Sequence, residues 1–104
     1  MPFQVRYTKQ FTEQLEAIHT FICEEIDEEL AIEISKKLLD KTDSLADFAY
    51  VGISLAKLYP NKEITARYRL LFVAKYVIGY HVEGDTVFID WIHHQRENWL
   101  SGLK

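Results

Sequence analysis

The sequence predicts an α+β fold, with one antiparallel sheet packed against a hairpin of two helices. Three observations predict it. Apolar residues recur at steps of three and four between residues 9 and 45. Three β-rich runs fill the last third of the chain. The resulting order, β-α-α-β-β-β, segregates strands from helices, which argues for one layer of each. A chain of 104 residues makes one domain, 1–104.

Residues 3–8, FQVRYT, alternate apolar and polar and read as a first strand. Thr8 is placed to cap the helix that follows. Over residues 9–26, Phe11, Leu15, Ile18, Ile22 and Ile26 form one apolar stripe. Asp27 interrupts it and can cap a second helix over 28–43, whose stripe is Ala31, Ile34 and Leu38, with Leu45 just beyond. So short a link sets the two helices antiparallel. Residues 44–63 mix signals and predict a turn of helix, then a loop ending at Pro60-Asn61. Leu45, Phe48, Val51, Ile53, Leu55 and Leu58 are expected to pack that segment down onto the body. Strands are predicted over 64–73, 75–82 and 85–93, joined by tight turns at Ala74-Lys75 and Glu83-Gly84-Asp85. Strict alternation in the last run puts Val87, Ile89, Trp91 and His93 on one face, and Thr86, Phe88, Asp90, Ile92 and His94 on the other. One face should meet the helices, and the other, half apolar, a partner. Residues 94–104 are expected to form a short helix or tail.

The composition is that of an ordinary globular protein, 48% hydrophobic and 27% charged. No apolar run approaches the roughly 20 residues of a membrane span. The opening MPFQVRYTKQF has no apolar h-region, so no secretory signal is expected. The one cysteine, Cys23, cannot form an internal disulfide and fits a reducing cytoplasm. It lies within a helix and reads as core filler. Net charge is −4 and unevenly spread: residues 1–56 carry eleven acids against five bases, residues 57–104 seven bases against five acids. That basic half is too modest for a protein that holds nucleic acid by its phosphates. The acidic half reads as a solvated helix face.

The stretch IDWIHHQRENW, 89–99, holds the residues with chemical potential. His93 and His94 titrate near neutrality, so either suits general acid–base work. Arg67, Arg69 and Arg96 suit phosphate or carboxylate recognition, and Glu63 is an alternative base. Each has a bland counterpart. His93 reads equally as a half-buried histidine with one hydrogen bond. Arg67 and Arg69, two apart on a strand and so on one face, read as surface cations meeting the acidic helices. Trp99 either folds back onto the sheet or anchors a partner. Adjacent histidines on a strand point to opposite faces and cannot share one ion, so no metal site is expected. No cofactor is expected either.

The whole pattern, opening with VRYTKQF (5–11) and closing with RYRLLFVAKYVIGYHVEGDTVFIDWIHHQREN (67–98), resembles the RelE/ParE superfamily of toxins from bacterial type II toxin–antitoxin modules. The resemblance implies a RelE/ParE-like fold, a growth-arresting toxin, and a cognate antitoxin that holds it in a tight cytoplasmic complex. DNA would be met only through the antitoxin, since the chain shows no helix-turn-helix signature. RelE-like members cut messenger RNA on the ribosome, and ParE-like members poison DNA gyrase. In the nucleases the strand resembling YRLVY carries a catalytic arginine; here the matching stretch is Tyr76-Val77-Ile78-Gly79-Tyr80, with valine in its place. The segment before the second strand, 64–73, offers only Lys57 and Lys62, and no tyrosine follows Tyr80. The ending resembles the histidine-x-x-arginine of ParE-like toxins, matched by His93 and Arg96. The resemblance therefore favours a gyrase-inhibiting toxin that binds its target through His93, Arg96, Trp99 and Arg69. The alternatives are a metal-independent, ribosome-dependent ribonuclease using His93, His94, Arg67, Arg69, Arg96 and Glu63, and a non-toxic member that only binds its antitoxin.

Overall fold

A computed structural model describes residues 2–60 and 67–100. The elements are β1 (Gln4–Tyr7), α1 (Lys9–Glu25), α2 (Glu28–Asp43), a 3-10 turn (Ser44–Ala46), β2 (Ile53–Ser54), α3 (Leu55–Leu58), β3 (Arg69–Val73), β4 (Tyr76–Glu83) and β5 (Thr86–His94). The fold is α+β, as the pattern of elements predicts. Both helix starts follow from their caps. The Thr8 hydroxyl accepts from the Phe11 amide at 3.2 Å, and the Asp27 carboxylate from the Leu30 amide at 3.3 Å. The α1 stripe buries Phe11 and Ile22, and the α2 stripe Ala31 and Leu38. Ile26 leaves the stripe: α1 ends at Glu25, and Ile26 is exposed at the link.

The sheet has five strands in the order β1-β5-β4-β3-β2. It is mixed, because β1 runs parallel to β5 while the other pairs are antiparallel. The direction of β1 against β5 is set by the helical crossover, not by a turn between neighbours, so no local sequence signal encodes it. The core between helices and sheet holds Phe11, Leu38, Leu45, Ile78, Tyr80, Val87 and Ile89. The predicted strand over 64–73 begins at Arg69, and residues 64–66 lie outside the described residues.

The segment after α2 corrects the expectation that it packs down. Leu45 and Leu55 are buried, but Phe48, Val51, Ile53 and Leu58 are exposed. Besides the buried Leu45, Ala49 and Leu55, its backbone is fastened to the body. The buried Tyr80 hydroxyl donates to the Ala49 carbonyl and accepts from the Gly52 amide, both at 2.9 Å. Arg69 donates to the Gly52 carbonyl at 2.8 Å and the Tyr50 carbonyl at 3.2 Å, and its guanidinium lies over the Tyr50 ring.

Alternation along β5 is also corrected. β4 pairs Gly79 with Trp91 and Tyr80 with Ile89, so Asp90 is an extra residue, a β-bulge. A bulge shifts the side-chain parity by one. Val87 and Ile89 face the helices, but beyond the bulge Ile92 does so and Trp91 does not. Trp91 instead joins Leu55, Leu70 and Val77 in a second small core on the far face, flanked by Tyr68, Trp99 and Leu100. Leu55 of α3, Trp99 and Leu100 thus cover the part of that face around Trp91, while Phe72, opposite Val77, stays exposed. Gly79 makes room: a Cβ there would stand 2.2 Å from the Trp91 ring.

Candidate functional site

The end of β5 lies over the β3–β4 turn. The Gln95 amide donates to the Lys75 carbonyl at 2.8 Å, and its side chain reaches the Tyr76 carbonyl at 3.2 Å. His93 and His94 leave this end on opposite faces, as adjacent strand residues must. His93 sits beside Trp91, ring centroids 5.5 Å apart, with Nδ1 at 3.2 Å from a Glu97 carboxylate oxygen. It is half-buried. His94 lies against Tyr76 at 5.5 Å, and its Nδ1 accepts from the Arg96 amide at 3.1 Å. That bond leaves the proton of a neutral His94 on Nε2. Glu97 also accepts from the His94 amide at 3.1 Å, closing the turn. The Arg96 side chain is exposed. Trp99 folds back onto Trp91, 5.4 Å between centroids.

The arginines do not join this end. Because β3 starts at Arg69, Arg67 precedes the strand and the two-apart rule fails. Arg67 stacks over Tyr68 at 5.0 Å, whereas Arg69 is spent on the carbonyls of Tyr50 and Gly52. Arg69 thus fastens the loop before β2. Glu63 lies outside the described residues. An RNA-cutting site needs a base, an acid and phosphate-holding cations converging on one reacting atom. Among the described residues the two histidines diverge, and Arg67 and Arg69 are held elsewhere, leaving Arg96 as the arginine at this end.

The family model for the ParE toxin of the type II toxin–antitoxin system parDE matches residues 5–99. This chain belongs to the ParE toxin family. A solved chain of the chromosomal ParDE TA system from P. aeruginosa superposes with a TM-score of 0.72 at 18% identity, covering 88% of this chain and 95% of that one. It shares the fold. No curated protein matches by sequence.

In this ParE-family chain Val77 is fully buried, beneath Trp91 and beside Leu55 and Leu70. The position that the sequence resemblance matches to a nuclease arginine thus lies in an apolar core. Sequence reasoning missed a second group on the same face. His81 Nδ1 lies 2.5 Å from Asp90 Oδ2, and its Nε2 is 3.2 Å from Glu83. Its ring stacks on Phe88 at 5.1 Å. Burial pushes the Asp90 carboxyl above its ordinary range, against the pull of His81 and of Arg67. Both imidazole nitrogens are taken by carboxylates, so His81 is not free to act as a base. Among the described residues no cluster of His, Cys, Asp and Glu is arranged to hold a metal ion. The available signal was Asp90 itself, a charge inside an apolar strand.

Further surfaces lie away from this end. A cleft of about 680 Å³ runs between α2, with Lys36, Lys37 and Lys41 beside Glu33 and Asp40, and the Phe72–Ala74 end of β3. An apolar surface spans Phe48, Tyr50, Val51 and Ile53. Among the described residues no helix is long and apolar enough to cross a membrane.

Proposed function

We propose that this type II toxin arrests growth by binding DNA gyrase, without chemistry of its own, and that a cognate antitoxin neutralises it in the cytoplasm. The observation that carries this reading is Val77. Its side chain is sealed under Trp91 beside the folded-back Trp99, which leaves no cation and no open space at that position among the described residues. The divergence of His93 from His94 and the capture of Arg69 by loop carbonyls support the same reading. On this reading His93, Arg96 and the Trp99 edge form the target-contacting end of the molecule. Trp99 supplies apolar area and Arg96 an exposed charge, the residue types that dominate binding hot spots.

The antitoxin's part follows from surface chemistry. Around Trp91 the far sheet face, expected to need a partner, is covered by the chain itself, while Phe72 on the same face stays open. The exposed apolar residues of the loop before β2, and the open end of β3 beside the α2 lysines, are the surfaces we assign to that partner.

The test uses toxin purified free of its antitoxin. It is added to a gyrase supercoiling and cleavage assay and, in parallel, to a translating ribosome mix read by primer extension. Stabilised gyrase–DNA breaks with intact message are expected, and should vanish in Arg96→Ala. Message cut on the ribosome with gyrase untouched would overturn the reading.

A further inference from the structure

The bulge at Asp90 decides which residues reach the face that carries the proposed target-contacting end. Without it, strict alternation from Val87 and Ile89 would turn Trp91 and His93 toward the helices and bring Ile92 and His94 outward. With it, Trp91 lies over Gly79 on the far face, Trp99 docks on Trp91, and the chain that follows β5 is carried back across that face.

Something must hold a single extra residue in place, since a strand relaxes into regular pairing when nothing opposes it. Three contacts do so here. On the edge toward β1, the Thr8 hydroxyl donates to the Asp90 carbonyl at 2.9 Å and the Ile89 carbonyl at 3.0 Å. β1 ends at Tyr7, so the Ile92 amide beyond the bulge has no strand to meet. The Gln14 side chain accepts from it at 2.8 Å. On the face, the Asp90 carboxylate is drawn to His81 Nδ1, and both side chains are only 11% exposed. The first two contacts satisfy backbone groups that any register would need to satisfy. The third joins side chains: it ties the extra residue to His81 of β4, which pairs with Phe88 two places before it.

We propose that the Asp90–His81 pair is a positioning device: it fixes the bulge and so selects the outward presentation of Trp91 and His93 and the docking of Trp99. Neither residue contacts the target. This inference rests on the reading that the end of β5 is the target-contacting surface, but its structural part is measurable without any target. His81 is suited to the task because Phe88 stacks on its ring and Glu83 takes its second nitrogen, leaving the imidazole one orientation. The charged groups around the pair are Asp90, Glu83 and, from the segment before β3, Arg67.

The test compares the full chain with Asp90→Ala, His81→Phe, the double variant and Asp90→Asn. His81→Phe keeps a ring on Phe88 but has no donor. Asp90→Asn keeps an acceptor for the imidazole N–H. The readout is the set of NMR contacts from the Trp91 indole to Trp99 and to Val77. We expect both single removals to lose the Trp91–Trp99 contacts, the double variant to look like either single, and Asp90→Asn to retain them. Should Asp90→Ala fail to fold, His81→Phe against Asp90→Asn still decides. Unchanged Trp91–Trp99 contacts in His81→Phe would overturn the proposal. Gyrase inhibition measured on the same proteins separates the two claims. Loss of inhibition together with the contacts supports both. Lost contacts with inhibition intact would mean that the pair sets the bulge but does not serve the target, and would overturn the positioning role. A wild-type chain inert toward gyrase with contacts that respond as expected would sink the gyrase reading alone.

Discussion

A methyl group at Gly79 would stand 2.2 Å from the Trp91 ring, with no flexible side chain end to yield. Either the ring leaves its seat or β4 and β5 separate. Gly79→Ala should therefore cost about 1–3 kcal/mol, as overpacking in a filled core does, and should red-shift Trp91 emission as the ring meets water. Urea unfolding with tryptophan fluorescence reads both, and unchanged values would mean that the seat is looser than described. The Tyr80 hydroxyl tests a different kind of contact. It bridges the Ala49 carbonyl and the Gly52 amide, and Tyr80→Phe leaves both without it. The expected cost is about 1–3 kcal/mol, with faster amide exchange confined to residues 49–52. Exchange that rises evenly across the chain would instead mean that the phenol holds up the core and not the loop.

Between elements, β1 and the end of α2 are tied by Tyr7, whose hydroxyl donates to Asp43 at 2.6 Å and meets Thr42 at 2.9 Å. Burial first, then the bond to Asp43 and its charge, push the Tyr7 phenol from 10.0 to about 12. A folded-state value above the unfolded one means stability that is fully present below about pH 10 and lost as pH climbs through about 12. Thermal midpoints should fall across that window, and fall less steeply in Tyr7→Phe. The slope that remains belongs to Tyr76 and Tyr80, both also raised by burial. Parallel slopes in the two proteins would show that the Tyr7 tie contributes nothing. This scale also separates what the sequence reveals from what it hides. Thr8, Asp27 and the two apolar stripes mark the helices because caps and periodicity are local. The β3–β4 and β4–β5 hairpins are marked by their turns. The parallel pairing of β1 with β5 is a tertiary choice without a local marker. The bulge is one extra residue whose trace was Asp90 amid apolar neighbours, and missing it reversed the faces assigned to Trp91, His93, Ile92 and His94. The stretch 89–99 was legible as the end of the last strand, while its geometry and the carbonyls that hold Arg69 were not.

For the whole molecule, two layers 21 Å thick leave much surface for little volume. The acids of the first half lie largely on the helical layer, so like charges repel copies that approach helix to helix. The loop before β2 carries no comparable guard: Phe48 is 64% exposed, and Tyr50 and Val51 59% each. Because Tyr80 and Arg69 fix its backbone, this apolar surface cannot fold itself away. A toxin freed from its antitoxin should then associate with itself through this loop, since rigid apolar area costs little ordering entropy to bury. Phe48→Ser with Val51→Lys should shift sedimentation velocity at matched concentration toward the single chain. Folding stability should stay within about 0.5 kcal/mol, as for exposed sites whose side chains make no core contact. The same pair should weaken capture by the antitoxin if that partner covers the loop. Association undiminished in the double variant would move the sticky surface to Phe21 and Ile26 at the tip of the helical hairpin, which are also exposed. The antitoxin's footprint would then be sought there and along the lysine-lined cleft beside β3.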